Sequence, residues 1–234
     1  MKLSIIIPVY NEERTVAEII KLVKKVKFPA NISREVIVVN DASIDKTDKI
    51  LKKIDGIKIY THETNQGKGA AVMTGLKYSE GDVVVIQDAD LEYNPEDIIH
   101  LIAPILDNKG EVVYGSRLKN YPLRLSGKRK TPLITHYLGN KLLSFITSFL
   151  YGNYLSDMET GHKAFKKSVI AGMEIHSKRF DFEPEFTAKI LKTGHRILEI
   201  PVKVKPRGYD EGKKITWKDG FYALWTLIKY RFVD

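Results

Sequence analysis

Apolar runs and helix-spaced apolar positions alternate through the first half of the chain. Residues 3–9 form an almost unbroken apolar run, and Val16 to Val26 repeats its apolar positions at helical spacing. Glu35-Val36-Ile37-Val38-Val39 reads as a second strand, followed by a helix over Lys46–Ile54 and a short strand over Gly56–Tyr60. A helix over Gly69–Tyr78 precedes a fourth strand, Asp82–Gln87. Pro95 suits a first helical turn, so the next helix runs to about Leu106, and Glu111–Gly115 returns to the sheet. Uninterrupted Val/Ile runs mark strands buried on both faces, which predicts a mostly parallel sheet flanked by helices.

The second half is less regular. Residues 131–155 carry aromatic and aliphatic side chains on most sides of a predicted helix, which suits either a core helix or one lying against lipid. Further along, 183–193 reads as helix and Arg196–Val204 as an alternating strand. The segment Trp217–Phe232 mixes aromatics with Lys218, Lys229 and Arg231, a composition that fits a membrane surface and equally fits packing on the domain.

Composition narrows the chemistry. The 234 residues contain no cysteine, which excludes disulfides, thiolate metal sites and a cysteine nucleophile. No stretch reads as a membrane span, and the chain opens directly into a strand with no signal-peptide pattern. The net charge of +9 is unevenly distributed: no acidic residue occurs between Glu111 and Asp157, an interval holding Arg117, Lys119, Arg124, Lys128, Arg129, Lys130 and Lys141. Such a tract attracts phosphates, anionic lipid or nucleic acid. No RNA-binding aromatic signature or helix-turn-helix pattern favours nucleic acid.

Two acidic motifs fall where strands should end, Asn40-Asp41 and Asp88-Ala89-Asp90, and in parallel sheets ligands bind beyond the carboxyl ends of strands. Carboxylates one residue apart repel unless a cation neutralises them, and hard oxygen ligands suit Mg2+ or Mn2+ shared with substrate phosphates. An acidic surface turn is the plainer alternative. Gly67-Lys68-Gly69 lacks the spacing of a dinucleotide loop, and no P-loop is present. Those glycines either let backbone approach a flat ligand or make a turn.

Taken together, Ile7-Pro8-Val9-Tyr10-Asn11-Glu12, Val39-Asn40-Asp41-Ala42-Ser43, Asn65-Gln66-Gly67-Lys68-Gly69 and Asp88-Ala89-Asp90 resemble the family-two glycosyltransferases of the GT-A fold. Gly115-Ser116-Arg117, Asp157 to Phe165, Phe180-Asp181-Phe182-Glu183 and Glu211-Gly212-Lys213-Lys214 look like the branch that glycosylates polyprenyl and dolichyl phosphates. That resemblance implies a Rossmann-like, mostly parallel α/β sheet in a single domain over 1–234. A nucleotide-sugar half would occupy 1–115, an acceptor half 116–215, and an amphipathic helix at 216–234 would face the membrane.

It also implies roles. Pro8, Tyr10 and Glu12 would line the nucleoside pocket, and Asp41 would accept an N–H of the base. Lys68, Asp88, Ala89, Asp90 and Lys213 would hold the nucleotide sugar, with Asp90 and Asp88 as metal ligands. Arg207 would stabilise the departing diphosphate, and Arg117 and Arg129 would grip the acceptor phosphate. Asp157 would orient or deprotonate the acceptor, or else pair with one of those arginines. The implied reaction is inverting transfer of a hexose from UDP-glucose or GDP-mannose to a polyprenyl phosphate, with Mg2+ or Mn2+. The implied place is the cytoplasmic face of the cell membrane, peripherally bound, with oligomeric state left open. The same fold acting on a saccharide or other hydroxyl compound, and a non-catalytic basic module, are the alternatives.

Overall fold

Strands β1 (Lys2–Val9), β2 (Ser33–Asn40), β3 (Lys58–Thr61), β4 (Val83–Ile86), β5 (Val112–Ser116), β6 (Lys163–Lys166) and β7 (Ile197–Pro201) join in one sheet. Their order is β3-β2-β1-β4-β6-β5-β7. The computed structural model describes residues 1–119, 134–179, 181–205 and 217–233. Every neighbouring pair is parallel except those made by β6, which runs antiparallel to both β4 and β5. The helices are α1 (Val16–Lys25), α2 (Thr47–Leu51), α3 (Lys68–Tyr78), α4 (Asp97–Leu106), α5 (Ile134–Tyr151), α6 (Phe182–Lys192) and α7 (Trp217–Phe232).

Alternation along β1 explains why both faces are covered. Leu3, Ile5, Ile7 and Val9 point to one side, where they meet Ile19, Ile20 and Val23 of α1 and Ile98, Leu101 and Ile102 of α4. Ile6 points to the other, into a core with Val72 and Leu76 of α3, Phe182 and Phe186 of α6, and Leu227 of α7. The expected mostly parallel α/β sheet is therefore the one observed.

Strand β6 was not foreseen from the pattern. Lys163-Ala164-Phe165-Lys166 is too short and too charged at its ends to carry a period. Burial of Lys163 is made tolerable by local partners: its ammonium bonds the carbonyls of Met158 and Thr160 and lies 4.2 Å over the Tyr114 ring. The predicted helix at 46–54 shortens to Thr47–Leu51, and the predicted strand at 196–204 closes at Pro201.

Candidate active site

Because β1, β2, β4 and β5 share one direction, their carboxyl ends lie along one edge of the sheet. The chain proceeds from β1 outward to β2 and β3, then returns on the other side of β1 as β4. Ligand crevices form at such a reversal. Pro8 helps to open it. Ile6 accepts the Gln87 amide at 2.9 Å on the β4 side, and Pro8, two residues on, faces the same side with no N–H to extend the ladder. Beyond this point β1 and β4 part, and Tyr10 lies half-buried at the mouth.

On the β2 side of the crevice, Asp41 is buried and its carboxylate is fully engaged. Oδ1 accepts from Gln66 N (2.8 Å) and His62 Nδ1 (2.7 Å), and Oδ2 from Gly67 N (2.7 Å) and Asn65 Nδ2 (2.9 Å). A carboxylate has about four lone-pair sites. Asp41 thus staples the 65–67 turn to the sheet, and a base N–H would have to share an oxygen already in use. Glycine is required at Gly67 and Gly69 because the backbone at Ser177–Arg179 comes so close that a Cβ would collide with it. A close approach by protein chain is therefore one reason for these glycines. Glu12 also turns inward, its Oε2 accepting the Thr15 hydroxyl at 2.7 Å at the start of α1.

Beyond β4, apolar and acidic residues alternate. Ala89 is buried in the core and Leu91 packs against it, which leaves Asp88 and Asp90 half-buried at the crevice. Leu91 adopts a positive φ of 63°, and Gln87, wholly buried, clasps the turn by donating to the Asp88 carbonyl. Asp88 faces Lys68, whose ammonium lies 2.8 Å from Oδ1 and 3.2 Å from Oδ2 and also pairs with Glu183 at 2.9 Å. Burial opposes ionisation of Asp88, but Lys68 more than offsets it and holds the carboxyl below its usual range. Asp90 Oδ1 accepts the Glu92 amide at 3.0 Å.

The third element lies at the end of β5, two strands from β4. Asp157 is fully buried and receives four hydrogen bonds: from Arg117 N and Nε to Oδ2 (both 2.8 Å), and from Arg117 Nη2 and Asn140 Nδ2 to Oδ1 (both 2.7 Å). Burial would raise the Asp157 pKa, yet the Arg117 guanidinium keeps it low. The ion pair with arginine, one of the readings the sequence left open for Asp157, is present in the structure, and its two oxygens are engaged by Arg117 and Asn140. Tyr93 joins the two ends, its hydroxyl 3.3 Å from Thr160 Oγ1 and 3.1 Å from the Gly161 amide, while a Cβ on Gly161 would strike the Asp88 carboxylate.

Arg129, Arg207 and Lys213 lie outside the described residues, as do Arg124, Lys128, Lys130 and Lys214. Gln87, Tyr93 and Asn140 were not singled out from sequence, and Glu159 and Lys163 stood there only within the Asp157-to-Phe165 motif, without a role of their own. Burial raises the Glu159 pKa, reinforced by Glu183, and lowers that of Lys163. Gln87, Tyr93 and Asn140 belong to no motif named from the sequence. Their neighbourhood arises only when β6 inserts between β4 and β5.

A family model, glycosyl transferase family 2, matches residues 4–171, more than half of the chain. The chain belongs to glycosyl transferase family 2. It is therefore a glycosyltransferase, and the non-catalytic module is set aside. A UDP-N-acetylglucosamine–dolichyl-phosphate N-acetylglucosaminyltransferase of Methanococcus voltae is 31% identical over 96% of this chain and 94% of that protein. The low-salt glycan biosynthesis hexosyltransferase Agl6 of Haloferax volcanii is 28% identical over 99% of this chain and 53% of its own length. Among solved structures, glucosyl-3-phosphoglycerate synthase of Mycobacterium tuberculosis, in complex with Mn2+, UDP and phosphoglyceric acid, superposes with a TM-score of 0.75 at 18% identity, covering 100% of this chain and 79% of that one. The fold is GT-A. These relatives bear out the resemblance to the polyprenyl-phosphate branch of the family.

Proposed function

We propose that this enzyme transfers a hexose or N-acetylhexosamine from a UDP sugar to the phosphate of a polyprenyl phosphate, at a membrane surface. The observation that carries this reading is the two-sidedness of α5. One side supplies Asn140 to the Asp157–Arg117 pair, and the opposite side exposes Leu138, Leu142, Phe145 and Phe149 at helical spacing. A guanidinium for a phosphate and an apolar face for a lipid thus lie about one helix diameter apart, roughly 10 Å. Helix α7, tied to α5 through Tyr151 Oη and the Leu227 carbonyl (2.7 Å), also exposes Phe221, Tyr222, Trp225 and Phe232. Among the described residues no helix is long and apolar enough to cross a membrane. Peripheral contact through α5 and α7 on the cytoplasmic face fits these exposed side chains, and the positive charge of the 112–156 interval suits anionic lipid.

The chemistry follows from the occupied carboxylate. A phosphate monoester with a second pKa near ~6 is mostly ionised at neutral pH and needs no base, whereas a hydroxyl acceptor does. With Asp157 committed to Arg117, the phosphate acceptor is favoured over the saccharide. A phosphate oxygen attacks the anomeric carbon in line, the bond to the diphosphate breaks, and its electron pair leaves on the diphosphate oxygen, inverting the centre. Arg117, oriented by Asp157, aligns the nucleophile, and Arg129 joins it.

Among the described residues no group of three His, Cys, Asp or Glu side chains is placed to hold a metal alone. The two carboxylates Asp90 and Asp88 offer hard oxygen donors that would suit Mg2+ or Mn2+ completed by substrate phosphates, Asp90 as the principal ligand and Asp88, restrained by Lys68, as the secondary one. When bound, such an ion neutralises charge developing on the departing diphosphate. Lys68, Arg207 and Lys213 add cations there. Support for Arg207 comes from the segment before it: Lys205 donates its amide to the Glu92 carbonyl at 3.0 Å, and Val204 bridges Tyr93. Pro8, Tyr10, Glu12 and Asp41 frame the nucleoside, the last by holding the 65–67 turn. In this reading 1–115 serves the donor and 116–215 the acceptor within one domain, and 216–234 faces the membrane.

A UDP sugar is favoured over GDP-mannose because the Methanococcus voltae relative is named for UDP-N-acetylglucosamine and the matching fold holds UDP. The test is a panel of radiolabelled UDP-glucose, UDP-N-acetylglucosamine and GDP-mannose, each with Mn2+ and a short polyprenyl phosphate. Label should pass into the organic phase from a UDP sugar. Label appearing only from GDP-mannose overturns the donor assignment, and none from any donor overturns the reaction.

A further inference from the structure

Glu199 sits on edge strand β7, opposite Tyr114 of β5, and its carboxylate is turned toward the acceptor end of the site. Oε1 accepts the amides of Ser156 and Asp157, both at 2.9 Å, and Oε2 accepts the Ser156 hydroxyl at 2.7 Å. Two consecutive peptide groups are thus fixed by one side chain. From there two arms reach Arg117. The Asp157 carboxylate holds its guanidinium. The Ser156 hydroxyl lies 2.7 Å from Ser116 Oγ, which itself accepts the amides of Leu118 (3.2 Å) and Lys119 (2.9 Å) on the far side of Arg117. Lys119 closes the circuit by donating its ammonium to the Glu199 carbonyl at 2.7 Å.

We infer that Glu199 is a positioning residue for the acceptor-phosphate grip: it sets the peptide of Asp157, which aims the Arg117 guanidinium. The inference rests on the reading of Arg117 as the phosphate's partner. Leu198 and Ile200 pack into the core on the opposite face of β7, and on the face of Glu199 itself the apolar contact comes from Ile197, so the carboxylate is an addition to the packing rather than part of it. A carboxylate is suited to the place because it accepts several N–H and O–H donors at once, and hydrogen bonds to charged groups are the stronger kind. Gln in its place keeps one acceptor oxygen but presents an NH2 group to the Ser156 hydroxyl.

Binding of farnesyl phosphate and of UDP with Mn2+, measured separately by titration calorimetry on the full chain, tests this. Glu199→Ala should weaken farnesyl phosphate about tenfold and Glu199→Gln a few-fold, with UDP affinity unchanged within about twofold. In an Arg117→Ala background the Glu199 substitutions should add nothing further, because the grip they aim is gone. Farnesyl phosphate affinity unchanged in both Glu199 variants overturns the inference. So does a parallel loss of UDP affinity, or an undiminished Glu199 effect without Arg117, since each marks a general structural role. Should Glu199→Ala fail to fold, Glu199→Gln decides by the same criteria. If Arg117→Ala itself leaves farnesyl phosphate binding intact, the acceptor assignment falls, an outcome distinct from Glu199 being silent while Arg117 is not.

Discussion

Asp41 and Asp157 are both buried carboxylates at the strand-end edge, and both accept four hydrogen bonds, yet they organise different things. Around Asp41 the donors are two main-chain amides, an asparagine and a histidine, so the carboxylate fixes the shape of a turn. Around Asp157 three of the four donors belong to Arg117, so the carboxylate fixes the direction of a charge. On the proposed function, the side assigned to the sugar donor is therefore built by backbone preorganisation and the side assigned to the acceptor by an ion pair. Removal of either carboxylate should reveal which substrate its side serves.

The largest effect is expected between these two sides. Asp90→Ala should lower transfer by about a thousandfold and abolish Mn2+-dependent UDP binding, as loss of charge stabilisation at a leaving group does. Retention of that binding would place the metal elsewhere. Asp157→Asn comes next. It frees Arg117 from its partner while keeping the side-chain shape, so transfer to a polyprenyl phosphate should fall about ten- to a hundredfold without vanishing. Complete loss with unchanged acceptor affinity would mark Asp157 as a base and restore the hydroxyl acceptor. Asp41→Asn should act on the other side, weakening UDP about tenfold and costing about 1–3 kcal/mol of stability in chemical denaturation, because the amides of Gln66 and Gly67 lose a charged acceptor. An effect on farnesyl phosphate instead would dissolve the contrast.

A smaller effect concerns pH. Burial holds His162 neutral, its pKa lowered to about 4, and among the described residues neither ring nitrogen has a partner. Its unfolded form takes up a proton near 6.5, so the unfolded state binds more protons between pH 6.5 and 4, and stability falls as pH drops through that window. Denaturation at pH 7 and 4.5 should show wild type losing about 2 kcal/mol more than His162→Leu. Equal losses would contradict a neutral buried ring. Smallest in the catalytic sense, Phe145→Ser with Trp225→Ser should reduce sedimentation with anionic vesicles several-fold while leaving UDP binding unaltered. Undiminished sedimentation would remove α5 and α7 from the membrane surface.

Much of the donor side was legible because its information is local. Val/Ile runs mark buried parallel strands, and Asp41 and the Asp88/Asp90 pair follow those strands directly. What each carboxylate does was less legible. The partners of Asp41 are 21–26 residues away, and those of Asp157 are 17 and 40 away. The acceptor side depends on β6, whose four residues carry no period and whose insertion alone brings Asp157, Thr160 and Lys163 between Asp88 and Arg117. Glu199 was hidden in an ordinary alternating strand. Composition left both α5 and α7 open between core packing and lipid contact, and which side of each helix is covered required the fold.

The most direct test of a phosphate acceptor at Arg117 compares a polyprenyl phosphate with the corresponding polyprenol under identical donor and Mn2+. Organic-phase label should appear with the phosphate and not with the alcohol, and Arg117→Ala should raise the KM for the phosphate while leaving that for the donor unchanged. Comparable transfer to the alcohol, or an Arg117→Ala enzyme whose acceptor KM equals that of wild type, would contradict it.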